Sequence, residues 1–259
     1  MTFEFDAEKY KKASAHQKEW GKKLISELNL KGCETILDLG CGDGGITTQL
    51  AKLVPDGLVI GIDASQGMID SAKKTYKAQN LRFELKDIND IDFTDEFDVV
   101  FSNATLHWVK NHNKLLANVY KSLKAEGILR FNFAADGNCA AFFKVIKEVM
   151  AEKKYAEYFI DFDWPWYTPS VSEYEKILEQ FGFKEAKVWG ENADRFFPDT
   201  QTISKWVEQP SLVPFLKCVS DTDKQSFRDT AIERMIKETI QTDGRCFETF
   251  RRINVFAKK

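Results

Sequence analysis

Three glycines in the segment 38–45 have a spacing that could support binding of a nucleotide-like cofactor. Gly40, Gly42 and Gly45 match the pattern G-x-G-x-x-G, in which glycines let the main chain turn tightly from a strand into a helix and let a ligand approach closely. Asp63 follows at the end of the next apolar run, where a carboxylate can accept hydrogen bonds from ribose hydroxyls. By themselves, these residues are compatible with a nicotinamide dinucleotide.

Two further acids favour a different cofactor. Asp38 precedes Gly40 by two residues, where its charge would repel the pyrophosphate of a dinucleotide. S-adenosylmethionine has no phosphate and carries an ammonium and a sulfonium cation, which an acid suits. Asp87 follows the third apolar run, where it can accept from an adenine amino group while Ile88 packs on the ring. Because open α/β sheets bind ligands at their strand ends, this series of acids favours S-adenosylmethionine.

The elements that must position these acids alternate between strands and helices. Apolar runs predict strands at 34–39, 58–62, 81–85, 97–102 and 127–133. Amphipathic stretches predict helices at 45–53, 65–78 and 113–123. Such alternation implies parallel pairing with right-handed crossovers, so the fold class is predicted to be α/β, a Rossmann-like, doubly wound, mainly parallel sheet.

The pattern changes near residue 136. Helices are predicted at 139–150 and 172–181, and strands at 183–189 and 247–257 bring the sheet to seven strands. A mainly helical stretch at about 200–242 predicts a C-terminal helical cap over the ligand edge. We therefore expect a cofactor-binding core with an N-terminal lid helix over residues 1–135. Residues 136–259 would add the remaining strands and the cap, within one structural unit.

Composition narrows the class of protein. A chain of 259 residues with 43% hydrophobic and 30% charged residues can bury a core without metal or disulfide support. Its formal charge of −3 and its lack of a Lys/Arg-rich block argue against nucleic-acid or membrane partners. The five cysteines are widely spaced with no C-x-x-C pair, so no metal site is predicted. We expect a cytoplasmic protein.

The motifs resemble those of class I S-adenosylmethionine-dependent methyltransferases. The specific parts are 37–45, 61–65 with Met68, and 101–109, and weaker likeness extends over nearly the whole chain. The likeness is greater to the trans-aconitate methyltransferases and the juvenile hormone acid methyltransferases. The first group tends to have Arg where this chain has Gln17, and the second is more similar there and at 106–109.

The resemblance implies a set of cofactor contacts. Around the ribose and adenine it places Asp63, Ala64, Met68, Asp87 and Ile88. It places Gly40 and Gly42 near the methionine part and the ribose, and Asn103 at the methionine part. Tyr10 and Gln17 would lie on an N-terminal helix that closes over the cofactor, and Asp63 would accept from both ribose hydroxyls.

The residues that could act on a methyl acceptor are fewer. His107 follows the fourth predicted strand, and we expect it to orient the acceptor rather than to act as an essential base. The candidates for the substrate pocket are Trp108, Trp164, Trp166 and Arg252. Each also has a purely structural interpretation. Trp108 would anchor the following helix to the sheet, Trp164 and Trp166 would pack between cap and sheet, and Arg252 would be a surface residue at the start of an edge strand.

Together these features predict an S-adenosylmethionine-dependent methyltransferase that acts on a small molecule and releases S-adenosylhomocysteine. A carboxylic acid methylated on oxygen is the first hypothesis, since a carboxylate is ionised at neutral pH and needs no base. N- or S-methylation of a small metabolite and a non-catalytic S-adenosylmethionine-binding protein stay open as alternatives. An NAD-dependent oxidoreductase is disfavoured by Asp38.

Overall fold

The computed structural model describes residues 15–259. The strands are β1 (Thr35–Leu39), β2 (Leu58–Asp63), β3 (Leu81–Leu85), β4 (Phe97–Asn103), β5 (Leu123–Ala134), β6 (Glu185–Asn192), β7 (Arg195–Phe197), β8 (Cys246–Glu248) and β9 (Arg251–Lys258). The helices are α1 (Ala15–Ser26), α2 (Gly45–Leu53), α3 (Gln66–Thr75), α4 (His112–Ser122), α5 (Ala140–Met150), α6 (Val171–Leu178), α7 (Thr200–Trp206), α8 (Val213–Leu216) and α9 (Asp221–Thr239).

The described chain divides into two compact units. The first contains residues 15–136, Trp166–Glu191 and Arg252–Lys259, and the second contains Gly137–Pro165 and Asn192–Arg251. The division does not follow chain order, because α6 and most of β6 and β9 belong to the same unit as the first five strands.

A seven-stranded sheet forms the centre of the first unit, in the order β3-β2-β1-β4-β5-β9-β6. The pairs among β1 to β5 are parallel, and β9 runs antiparallel to β5. The predicted Rossmann-like, mainly parallel sheet is therefore confirmed. Because the first five strands are parallel, β1, β2, β4 and β5 all end at one side of the sheet, which we call the carboxyl edge.

Both faces of the sheet are buried. One face contributes Leu37, Leu39 and Phe131 to a large apolar cluster. The opposite face contributes Ile36 and Phe101 to a second cluster, where they pack with residues of α1 and α2. Strands covered on both faces read as nearly continuous apolar runs, which is why the periodicity of this half of the chain predicted them well.

The second unit combines helices with a two-stranded sheet, β7 paired antiparallel with β8. Aromatic side chains fill much of its interior, as in the Phe142–Phe215 and Tyr155–Phe227 ring pairs at 6.2 and 5.1 Å. Buried Glu248 accepts hydrogen bonds from the main-chain N–H groups of Ala141 and Phe142 at 3.2 and 2.9 Å. Its carboxylate thereby satisfies donors in the first turn of α5 that have no partner within the helix.

Two predicted elements of the C-terminal half differ from the structure. The single strand expected at 247–257 is split into β8 and β9, which pair in different sheets. The helical run expected at 200–242 is interrupted at Gln209, which has an extended conformation with φ −145° and ψ 121°. The residue after it is a proline, and the residue before a proline is disfavoured in the α conformation. Over residues 15–259, no helix is both long enough and apolar enough to cross a bilayer.

Candidate active site

The glycine loop links β1 to α2 at the carboxyl edge. The main-chain N–H groups of Gly40 and Cys41 both donate to the carbonyl of Ile62 at 2.9 Å, which ties the loop to the end of β2. Gly40 has φ +74°, and a Cβ atom there would lie 2.1 Å from Cγ2 of Thr105. Only glycine therefore fits at this position without displacing the segment that follows β4.

Gly42 faces open space rather than protein. Its φ is +54°, and a Cβ atom added there would meet no heavy atom within 4 Å. Its main-chain N–H donates to Oδ2 of Asp63 at 2.9 Å, while Oδ1 of Asp63 accepts from the N–H of Ser65 at 2.9 Å. The carboxylate is thus oriented by the main chain on both sides. Carboxylate oxygens are hydrogen-bond acceptors, and the role of Asp63 toward ribose hydroxyls stays a prediction.

Asp38 is almost completely buried beneath the loop, with 2% of its surface exposed. The hydroxyl of Thr47 donates to its carboxylate at 2.7 Å. Burial raises the pKa of Asp38 to about 7, and the negative charge of Asp63 adds to the increase against the opposing hydrogen bond from Thr47. A carboxyl group poised in this way ionises readily when a cation binds beside it.

A cleft that is partly open to solvent lies between α1 and the loop, and we call it the glycine-loop cleft. It is lined by Gln17, Lys18, Asp38, Gly40, Cys41, Gly42, Asp43, Ile46, Asn103 and Thr105. Nδ2 of Asn103 donates to the carbonyl of Gln17 at 2.8 Å. The side-chain oxygens Oε1 of Gln17 and Oδ1 of Asn103 are buried and have no hydrogen-bond partner in the described part of the chain. Both are acceptors, so they suit an ammonium group.

The predicted adenine contacts follow β2 and β3, the two strands at one end of the sheet order. Oδ1 of Asp87 accepts hydrogen bonds from the main-chain N–H and the side-chain Nδ2 of Asn89, both at 2.8 Å. Asp87 thereby caps a short 3₁₀ turn, Ile88–Asp90. Ile88 and Met68 are 7% and 2% exposed, so they offer a ligand little surface. Ala64 is half-buried. The roles of these residues toward adenine stay predictions.

His107 lies in a short 3₁₀ turn, Leu106–Trp108, after β4. Its Nδ1 atom is buried without a hydrogen-bond partner among the described residues. Burial lowers the pKa of His107 to about 3, and the positive charge of Arg252 adds to this effect, as does His112. The imidazole is therefore neutral at physiological pH and is a weak base.

Arg252 is buried at the carboxyl edge, with 3% of its surface exposed. It pairs with Ala134, the last residue of β5, and its Nε and Nη2 atoms donate to Oδ1 of Asn132 at 2.9 and 2.6 Å. Its guanidinium lies over the ring of Trp20 from α1, 4.3 Å from the centroid. The interpretation of Arg252 as a surface residue on an edge strand is wrong, because β9 lies between β5 and β6.

The predicted tryptophans separate into two groups. Trp108 packs on Trp166 with ring centroids 5.4 Å apart, and the His107 ring lies 5.5 Å from Trp108. Trp164 belongs to the second unit, where it packs against Phe143 at 5.1 Å. Roles of Trp164 and of the helical residues 200–242 toward an acceptor stay predictions. Tyr10 lies outside the described residues.

Comparison with known families decides the class of protein. Residues 30–197, more than half of the chain, match a family model described as a methyltransferase domain. The chain belongs to this methyltransferase family. It uses S-adenosylmethionine as the methyl donor and releases S-adenosylhomocysteine, and the nicotinamide alternative is therefore set aside.

The methyltransferase is similar to curated relatives over nearly its whole length. It is 28% identical over 261 residues to an uncharacterised methyltransferase of Schizosaccharomyces pombe, with 98% of each chain covered. It is 27% identical over 239 residues to a trans-aconitate 2-methyltransferase of Shigella dysenteriae, with 92% of this chain and 91% of the relative covered.

Solved structures show the same fold. The YcgJ protein of Bacillus subtilis matches with a TM-score of 0.65 at 14% identity, covering 93% of this chain and 98% of the other. A phosphoethanolamine N-methyltransferase of Haemonchus contortus in complex with S-adenosyl-L-methionine matches with a TM-score of 0.62 at 19% identity. That match covers 98% of this methyltransferase and 56% of the Haemonchus chain.

The glycine-loop cleft fits the methionine part of this cofactor. Asp38 and the two unpartnered amide oxygens are of the chemical type that an ammonium group requires, and a Cβ atom built at Gly42 meets no protein atom within 4 Å. The contacts of these residues with the cofactor stay predictions. The cleft brings together Gln17, Asp38, Gly40, Gly42 and Asn103 of the predicted set. Sequence reasoning did not identify the other five lining residues as site residues: Lys18, Cys41, Asp43, Ile46 and Thr105.

A local signal existed for some of the missed residues. Lys18 adjoins Gln17 on the lid helix, and Asp43 stands within the glycine motif itself. Thr105 had no such signal, since its hydroxyl reaches the Gly40 carbonyl, at 3.1 Å, only because β4 pairs with β1. Cys41 is a poor nucleophile, because burial and the neighbouring carboxylates raise the pKa of its thiol.

Proposed function

We propose that this methyltransferase acts on a small carboxylic acid and forms its methyl ester. The observation that carries the proposal is Arg252, a guanidinium buried at the carboxyl edge beside His107. Guanidinium groups recognise carboxylates through paired, charge-assisted hydrogen bonds. The name of the Shigella relative, a trans-aconitate 2-methyltransferase, agrees with an acidic acceptor.

The state of His107 supports the same class of acceptor. When bound, S-adenosylmethionine supplies a methyl group activated by its sulfonium, so the protein has mainly to align the acceptor and exclude water. An ionised carboxylate has no proton to remove, whereas a hydroxyl or thiol acceptor usually needs a base. With a pKa of about 3, His107 is unsuited to that task but can donate one hydrogen bond as a neutral ring.

Arg252 is best suited to anchor a carboxylate other than the one that reacts. A carboxylate held by a guanidinium is a weaker nucleophile, because its charge is shared with the cation. An acceptor with a second carboxylate can place one on Arg252 and leave the other free to attack. The Trp108–Trp166 pair offers an apolar surface near His107, against which the carbon skeleton can pack.

A transfer assay with labelled methyl tests the proposal. Mono- and dicarboxylic acids would be compared with amines and thiols of matched size, at saturating S-adenosylmethionine. We expect the carboxylic acids to be the methylated class and the dicarboxylic acids to react fastest. A small amine or thiol that is methylated faster than every acid would overturn the proposal.

Variants of Arg252 test the anchor directly. Arg252→Met should raise KM for the acid by about tenfold or more, in line with the loss of a charged hydrogen bond, with a smaller effect on the affinity for S-adenosylhomocysteine. Arg82→Met, at an exposed position on β3, is the matched control and should leave KM unchanged. If KM of a folded Arg252→Met variant equals that of the wild type, Arg252 does not bind the acceptor.

A further inference from the structure

The polar side chains that line the glycine-loop cleft include hydrogen-bond acceptors and a cation. Asp38 and the unpartnered oxygens of Gln17 and Asn103 form an acceptor side. Among the described residues that line the cleft, Lys18 is the one basic side chain. The methionine part of S-adenosylmethionine carries both charges, an ammonium and a carboxylate on the same carbon. The acceptor side accounts for the ammonium, and the carboxylate has so far been given no partner.

Lys18 is held in place by the glycine loop. Its Nζ atom lies 3.0 Å from Oδ2 of Asp43, and the other carboxylate oxygen of Asp43 accepts from the N–H of Gly45 at 3.1 Å. Cε of Lys18 would lie 4.0 Å from a Cβ atom built at Gly45, so the side chain crosses the first turn of α2. About a third of the Lys18 side chain is exposed, at 33%, which leaves it within reach of a ligand.

We propose that Lys18 binds the carboxylate of the cofactor's methionine part while it stays paired with Asp43. An ammonium group has three donors and can serve two carboxylates at once. The nearby N-terminus of α2, a nine-residue helix, adds a partial positive charge that favours a second anion. Asp43 then acts as a positioning residue, because it holds Lys18 at the mouth of the cleft before the cofactor arrives.

The carboxylate contact can be separated from a general role of α1 by the choice of ligand. S-adenosylhomocysteine has the whole amino-acid part, whereas 5′-methylthioadenosine has the same nucleoside and sulfur without it. Affinities for both would be measured by calorimetry on the full chain, for the wild type, Lys18→Met and Lys18→Arg. Lys22→Met, exposed on the same helix, is the matched control.

We expect Lys18→Met to weaken S-adenosylhomocysteine binding by about tenfold, the usual effect of removing a charged hydrogen bond, and to change 5′-methylthioadenosine binding by less than about twofold. Lys18→Arg should recover most of the lost affinity, and Lys22→Met should change neither value. Equal losses for both ligands would overturn the proposal, because they would show that Lys18 only holds α1 in place. Unchanged S-adenosylhomocysteine affinity in folded Lys18→Met would overturn it too.

Discussion

Burial shifts the pKa values of two side chains at the carboxyl edge in opposite directions, because desolvation penalises the charged form of each. It raises the pKa of the Asp38 carboxyl to about 7 and lowers that of the His107 imidazole to about 3. A bound cation can therefore change the charge of Asp38, whereas His107 stays neutral through the physiological range. The first residue suits the binding of a charged cofactor, and the second suits the orientation of an acceptor.

His107→Gln should retain methyl transfer within about tenfold of the wild-type rate, since loss of a true general base typically costs on the order of 100- to 10,000-fold. Glutamine keeps a hydrogen-bond donor and removes the ring. Because the pKa of His107 is about 3, the ring does not titrate between about pH 6 and 9. At saturating S-adenosylmethionine, whose cations favour the ionised form of Asp38, the wild-type single-turnover rate should be flat over that range for a carboxylate acceptor. Single-turnover rates of both proteins over that pH range check this expectation.

The orienting role of His107 would be contradicted if His107→Gln lost more than about 100-fold in methyl-transfer rate while the wild-type rate rose with pH through a histidine-like pKa. That outcome would make His107 a base and would point to a hydroxyl, thiol or amine acceptor. His107→Asn, which also keeps an amide donor but on a shorter side chain, distinguishes misplacement of the donor from loss of a base.

The connection between β1 and α2 contains two glycines with different surroundings. One is packed against the protein and the other lines the cleft. Gly40 packs against the segment after β4, and Gly42 faces the cleft. Both have positive φ, at +74° and +54°, so both carry a conformational cost when replaced by alanine, of about 1–2 kcal/mol. They differ in what the new methyl group would meet.

Gly40→Ala should therefore destabilise the protein by more than about 2 kcal/mol, because overlap with Thr105 adds to the backbone cost. Gly42→Ala should cost the fold only the backbone penalty of about 1–2 kcal/mol and should weaken S-adenosylhomocysteine binding by about tenfold or more, because its methyl group enters the ligand space. Denaturant unfolding and calorimetry of both variants provide the comparison. Equal stability losses, or wild-type affinity in Gly42→Ala, would show that the two glycines do not divide these tasks.

Binding of the cofactor should stabilise the folded chain. A ligand that binds only the native state at about 100 times its Kd adds about 2.7 kcal/mol to the unfolding free energy. For a chain of this size, we expect S-adenosylhomocysteine to raise Tm by several degrees and NAD to leave it unchanged. Thermal unfolding with each ligand is the measurement.

Asp63→Ala links that stabilisation to the ribose contact. A charged hydrogen bond contributes about 1.5–3 kcal/mol, so affinity for S-adenosylhomocysteine should fall about tenfold or more, and the ligand-induced rise in Tm should shrink. Asp56→Ala, at an exposed position before β2, is the control and should preserve the full rise. A rise in Tm with NAD as large as that with S-adenosylhomocysteine would contradict the assignment of the cofactor.

Features of this protein that depend on local rules are predicted from its amino-acid pattern alone. Strand and helix periods are set by residues close together in the chain, so β1 to β4 and the helices α2, α3 and α4 were predicted within a few residues of their observed bounds. The spacing of Gly40 and Gly42, with Asp38 before them and Asp63 after the next strand, likewise identified the cofactor class. Parallel pairing then places successive strand ends at one edge without further information.

Which distant residues share that edge depends on how whole elements pack against one another. Arg252 meets Asn132 and the neighbourhood of His107 because β9 enters the sheet antiparallel between β5 and β6, an arrangement with no local signature. The pairing of Lys18 with Asp43 depends in the same way on how α1 packs against the loop. Such contacts are chosen by the burial of whole elements, whose energy is summed over many residues, and a local pattern does not contain that sum.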